Sequence, residues 1–158
     1  MDAIFDRVVR EFFPNTTIPF WKKWLFRTAF GNKVFSRLIY NERLVNKNGV
    51  EWVNAVVELL ELKCESEHHQ LNNIPGHGAT VVISNHPTVI DGLSLIHTVS
   101  RVRSDIKIIA NHVLPIIFPQ VSELTIGIEN MAGKMSHKKF REMNDHLRKG
   151  GVLIICPA

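Results

Sequence analysis

The chain has 158 residues, 45% hydrophobic and 22% charged, a globular composition with room for one domain and a real core. No apolar run reaches the roughly 18 residues needed to span a bilayer, and residues 1–13 carry acids and bases throughout, unlike a secretion signal, so the cytosolic side is expected. The formal net charge of +4 sits at the front: residues 1–45 hold eight Lys or Arg against four Asp or Glu, whereas residues 46–158 hold eleven of each.

Ten of the thirteen aromatic residues also fall within the first 40. In FWKKWLFRTAF, Phe20, Trp21, Trp24, Leu25 and Thr28 share one side at helical spacing, with Lys22, Lys23 and Arg27 elsewhere on the wheel. Pro19 stands where a first-turn proline is tolerated. An apolar face of Trp and Phe flanked by bases suits the headgroup region of an anionic membrane. It equally suits an amphipathic helix packed on the domain. Residues 1–45 are therefore read as a basic, amphipathic, helical, membrane-facing region, and residues 46–158 as a separate α/β domain.

After a turn at NKNG (46–49), Val50, Val53, Val56 and Val57 recur at helical spacing. Leu60, Leu62 and Cys64 then alternate with Glu61, Lys63 and Glu65, which predicts a strand with one exposed face. NNIPGHG (72–78) is turn chemistry. ATVVIS (79–84) is a short, continuous, β-branched apolar run and predicts a buried strand. Leu93, Ile96, Val99 and Val102 predict a helix to about Arg103, and IKIIA (106–110) the next strand. Pro115 and Pro119 leave room only for short helical turns over 111–123. LTIGI (124–128) is a further strand and NMAGKM (130–135) a loop. Ser136 can cap a helix through 149 with Phe140, Met143 and Leu147 facing inward. GG (150–151) ends that helix, and VLIIC (152–156) is a last strand. The order strand, helix, strand, strand, helix, strand predicts an α/β fold, with a mixed, partly parallel sheet covered by helices and preceded by the basic aromatic helices.

The segment ISNHPTVIDG (83–92) carries the chemistry. Active sites of open α/β sheets lie beyond the carboxyl ends of the strands. His86 falls just past one such end. Pro87 biases it toward an extended backbone and holds the imidazole at the rim. Asp91 comes where a helix begins. Across the intervening turn its carboxylate can reach one imidazole nitrogen, fix the tautomer and support charge on the ring. The other nitrogen is then free to take a proton from an alcohol or amine. Free N–H groups of the helix start, placed at 91–94, suit an oxyanion or phosphate. On the residues alone, Asp91 as a plain helix cap and His86 as a polar strand end remain the alternative.

The same segment resembles the first signature block of the glycerolipid acyltransferase superfamily, Asn-His, four residues, Asp, here Asn85, His86 and Asp91. Proline after the histidine and glycine after the aspartate are similar to its hemolysin-like and ornithine-lipid branch. LNNIPGHGATVVISNHP resembles the family's lead-in, SDIKIIANHVL its next segment, and LRKGGVLIICPA the run into its third block. The resemblance covers about residue 57 to the end. It implies transfer of an acyl group from acyl-CoA or an acidic acyl carrier protein to a lyso-lipid or aminolipid acceptor. His86 would be the base, Asp91 its orienting carboxylate, and Asn85, Thr88, Gly92 and Lys134 substrate-binding residues. Neither a cofactor nor an acyl-enzyme is implied, and the sequence has no Gly-x-Ser-x-Gly elbow.

Two features depart from the family pattern. The second block usually offers an arginine to the acceptor's phosphate, but TIGIENMAGKMSHKK has none. Lys134, Lys138 or Lys139 stands in that region. Lysine gives a point charge without a bidentate fork, and Lys138 and Lys139 also read as a solvated helix face. The third block stops at Ala158, so a chain truncated at its carboxyl end is expected, with activity of its own in question. Neither a metal nor a nucleic acid is expected as partner. His68, His69 and His77 lack a supporting ligand pattern, and the basic front lacks a reader fold. Cys64 and Cys156 have neither metal-ligand spacing nor a disulfide framework, so buried free thiols are expected. The expected role is a peripheral acyltransferase on the cytoplasmic side of a membrane. The alternative is a membrane-binding fragment without turnover.

Overall fold

The computed structural model describes residues 38, 41–65, 71–85, 89–128 and 135–156. Almost all of the expected basic aromatic front, residues 1–45, lies outside them. Asn41 opens the first described helix, α1 (Glu42–Val45), by accepting a hydrogen bond from the Arg43 N–H. Leu38 and Leu44 are buried in the same core as the domain that follows. Helix α2 (Gly49–Leu59) buries Trp52, Val53, Val56 and Val57, two adjacent pairs one turn apart that make a single apolar stripe.

The segment Leu60–Glu65 keeps the predicted alternation: Leu60, Leu62 and Cys64 pack on the core while Lys63 and Glu65 are exposed. It is nevertheless not a strand. A period of two sets which side chains are buried, but a strand also needs a ladder partner, and this stretch packs without one.

Next come β1 (Thr80–Ile83), α3 (Val89–Ser100), β2 (Ile106–Asn111), the short α4 (Leu114–Ile117) with a 3-10 turn at Pro119–Val121, β3 (Thr125–Ile128), α5 (His137–Arg148) and β4 (Val152–Ile155). The α/β order is the predicted one. The four strands lie in the order β1-β4-β2-β3 and every pairing is parallel, rather than mixed.

Handedness explains the two layers. From β1 the chain moves two places across the sheet to β2, then one more to β3. It then turns back two places to β4. Right-handed crossovers put the connections of opposite sense on opposite faces. Accordingly α3 and the 114–124 segment join α2 on one face, over Ile106, Ile108, Val152 and Ile154. Helix α5 lies on the other, packed chiefly on β3 and β4. Ile126 and Leu153 are buried there.

Helix α5 begins as predicted, with the Ser136 hydroxyl accepting from the Lys139 N–H at 3.3 Å. It ends in a Schellman turn. The Gly150 and Gly151 N–H groups donate to the Leu147 and His146 carbonyls, and Gly150 takes φ +85°, a region that favours glycine.

Two expectations about burial are corrected. ATVVIS is an edge strand, with Val81 and Ile83 exposed on the outer face and Val82 packed on the core. A continuous apolar run implies burial on both faces only in an inner strand, and β1 has a single neighbour among the described residues. Phe140 faces solvent, whereas Met143 and Leu147 are half-buried. Helix α5 crosses the sheet so that its flank bearing Phe140 has no element above it among the described residues.

Candidate functional site

Because all four strands are parallel, their carboxyl ends share one edge. The last paired residues of β1 and β4 are Ile83 and Ile155, and the Ser84 N–H donates to the Ile155 carbonyl at 3.1 Å. That register sets Ser84 and Asn85 alongside Cys156. The Ser84 hydroxyl turns onto the Asn85 carbonyl at 3.0 Å, and Asn85 is exposed at the rim. His86, Thr88 and Lys134 lie outside the described residues.

Helix α3 starts at Val89, two residues earlier than the free N–H groups were expected. The residues of its first turn are therefore 89–92. Asp91 is a first-turn carboxylate inside the helix, where it opposes the positive end of the dipole. Asp91 is half-buried and Gly92 fully buried, so the helix start is seated against the sheet rather than lifted from it.

Asp91 lies within electrostatic reach of Cys156, just past the end of β4. Its charge acts on the Cys156 thiol, whose pKa is pushed up first by burial and then by that neighbouring carboxylate. Both effects disfavour the thiolate, the form in which cysteine attacks carbonyl carbon or binds metal. Cys64 and Cys156 are free and half-buried. Among the described residues no three His, Cys, Asp or Glu side chains come together as metal ligands would.

The neighbouring strands complete the edge. The Asn111 carboxamide oxygen accepts from the Val113 N–H at 2.9 Å and turns the chain sharply out of β2. His112 follows, with its N–H donating to the Ile128 carbonyl at 3.1 Å. A Cβ on Gly127 would stand 2.9 Å from the His112 Cα, so glycine is required at that point of β3.

The opposite edge holds a cluster that sequence reasoning missed. Arg103, only 6% exposed, grips Asp105 with two hydrogen bonds of 2.8 and 2.7 Å. It also donates to the carbonyls of Pro75, Gly78 and Gly150. The hydrogen bonds from Arg103 hold the Asp105 carboxyl below the usual carboxylate range, and the pairing keeps the guanidinium more firmly protonated. Arg103 thus ties the lead-in of β1, the start of β2 and the glycine turn before β4. Its only local sign is an Arg-x-Asp after a helix, which does not reveal carbonyls 25 to 47 residues away.

No helix among the described residues is long and apolar enough to cross a membrane. The chain matches no protein-family model, no curated protein and no solved structure.

Proposed function

We propose that this chain is an acyltransferase that moves a fatty acyl group from an acyl thioester, acyl-CoA or an acyl carrier protein, to a lyso-lipid hydroxyl or amine. The supporting observation is the position of Asp91: half-buried, in the first turn of the helix that follows β1, at the carboxyl edge of a parallel sheet. This is the edge where open α/β sheets hold their substrates.

In this reading His86 takes the proton from the acceptor as its oxygen or nitrogen attacks the thioester carbonyl carbon. The tetrahedral intermediate places negative charge on the former carbonyl oxygen, and N–H groups of the first α3 turn stabilise it. The C–S bond then breaks, and His86 returns its proton to the departing thiolate. Asp91 holds the imidazole and offsets its charge in between. Asn85, Thr88, Gly92 and Lys134 are the residues proposed to bind substrate. A direct transfer of this kind uses no enzyme nucleophile. The thiol of Cys156, whose pKa is raised by burial and then by Asp91, suits that role of bystander. An acceptor without a glycerol phosphate fits the absence of arginine from residues 125–139. Action on the cytoplasmic face of a membrane, with the basic front attracting anionic lipids, completes the proposal.

The test is transfer from labelled acyl-CoA and acyl carrier protein to a panel of lyso-lipids and aminolipids. His86→Ala is expected to lower the rate by about 10²–10⁴, the usual range for a lost general base. Equal rates in wild type and variant would overturn the assignment of the base. Vesicle binding with no transfer to any acceptor would favour the fragment without turnover.

A further inference from the structure

One flank of α5 carries charge that the candidate site does not use. Lys138, Arg141, Asp145 and Lys149 recur along it at intervals of three and four residues, with Glu142 beside them. Together with Lys107 of β2 they line a groove of about 440 Å³, within the size range of small-ligand sites. His146 forms a fixed part of the wall. Its Nε2–H donates to the Val152 carbonyl at 2.9 Å, and its ring fills the space beside Gly151, where a Cβ would collide with it.

Most of the cations in this groove lack a counter-charge. Lys107 donates to the Glu123 carbonyl at 3.1 Å, a neutral partner. Among the described residues no ion pair holds Lys138, Arg141 or Lys149. Glu142 is already paired at 2.9 Å with Lys139, which lies outside the groove. Four cations thus face one uncommitted carboxylate, Asp145. The first turn of α5 holds no acidic residue, so its positive dipole end adds to Lys138 instead of being offset. Such a mixture suits a ligand that has phosphate groups and also hydroxyl or amino donors.

We infer that the groove binds the nucleotide end of the acyl donor, which makes the donor acyl-CoA and not an acyl carrier protein; the inference rests on the acyl-transfer reading proposed above. The CoA phosphates meet Lys138, Arg141, Lys107 and Lys149. Asp145 accepts a hydrogen bond from a ribose hydroxyl or the adenine amino group. An acidic carrier protein would bring its carboxylates against Asp145 and Glu142 as well as against the cations, and like-charge contact disfavours that docking. Helix α5 runs opposite to the strands, because it leaves the carboxyl end of β3 and delivers the chain to the start of β4. Its Lys138 end therefore lies at the edge of the sheet that also holds Asp91. The flexible pantetheine arm of CoA has the rim between them to cross.

The experiment is isothermal titration calorimetry of the whole chain with CoA, inorganic phosphate and acyl carrier protein, with circular dichroism to verify that each variant is folded. CoA is expected to bind more tightly than either of the others. Lys138→Ala with Arg141→Ala should weaken CoA at least about tenfold, as loss of two charge-assisted contacts implies. Arg43→Ala with Lys63→Ala removes the same charge outside the groove and should bind CoA as wild type does. Asp145→Ala gives the sharpest reading. It should weaken CoA if the carboxylate accepts a hydrogen bond, whereas plain attraction of an anion to cations would make binding tighter. The inference is overturned if Lys138→Ala/Arg141→Ala binds CoA like wild type, if Asp145→Ala binds it more tightly, or if phosphate or carrier protein binds as well as CoA. Transfer from carrier protein without CoA binding would sink this inference and leave the transfer reading. CoA binding with these variant effects but no transfer to any acceptor would do the reverse.

Discussion

The two edges of the sheet are built in opposite ways. At the amino edge, Arg103 and Asp105 join three segments by charge-assisted hydrogen bonds, and Gly150 supplies the left-handed turn that presents its carbonyl. At the carboxyl edge, Asn85 is exposed, Ile83 faces solvent and the half-buried Asp91 helps raise the Cys156 thiol pKa. One edge is fastened and the other, at the described Ile83 and Asn85, is open to solvent. A parallel sheet makes this division possible because all strand starts lie together and so do all strand ends. Polar groups spent on closure at one edge do not obstruct the other.

The sharpest way to break the contrast is at the clamp. Arg103→Ala leaves the Asp105 carboxylate and the Pro75 and Gly150 carbonyls without this donor, while the Gly78 carbonyl keeps the Thr80 hydroxyl. It is expected to lower Tm by about 10 °C, in line with removing a buried guanidinium that bonds a half-exposed carboxylate and three backbone carbonyls in a domain of this size. Asp91→Asn, at the open edge, should leave Tm within about 2 °C of wild type, as half-exposed substitutions generally do. Differential scanning fluorimetry of the two variants decides the matter. A larger loss from Asp91→Asn would reverse the roles assigned to the edges.

The same clamp gives a smaller, pH-dependent effect. The Asp105 pKa is depressed in the folded chain, chiefly by hydrogen bonds from Arg103. Its contribution to stability is therefore whole above the unfolded-state value of about 4 and is lost as pH falls through the lower folded value. Urea midpoints should be flat with respect to this group from neutral pH to about pH 5 and decline below about pH 4. In Asp105→Asn that part of the acid slope should disappear. An unchanged slope would mean that other carboxylates carry it.

The contrast also explains what could be read in the amino acids. Signals that act within a few residues were legible: the Ser136 cap, the glycine stop at 150, the α2 stripe and the order of strands and helices. Features that depend on strand order were not. ATVVIS has the composition of an inner strand but occupies the edge, because β4 returns to lie between β1 and β2. Phe140 sits at the spacing of a core residue, yet α5 crosses toward β3 and leaves that flank uncovered. Arg103 was invisible because its partners are assembled only when β1, β2 and β4 come together. At the candidate site, a helix start near Asp91 was locally readable, whereas the approach of Cys156 depends on the β1–β4 register.

That approach supplies the smallest and most local test. Burial is the larger cause of the raised Cys156 pKa and the Asp91 charge the lesser. Removing the charge while retaining the shape should lower the thiol pKa modestly and raise the thiolate fraction at pH 8. Alkylation of Cys156 by iodoacetamide, followed by peptide mass spectrometry, should therefore run about threefold faster in Asp91→Asn than in wild type. Cys64 in the same sample reports any general loosening of the fold, because its rate should not change. If both thiols accelerate together, the substitution has opened the structure. If neither does, the Asp91 carboxylate does not face β4, and the geometry proposed for the open edge loses its anchor. Acceleration confined to Cys156 would place that carboxylate at the strand end beside Asn85, where a base in the next position of the chain would need it.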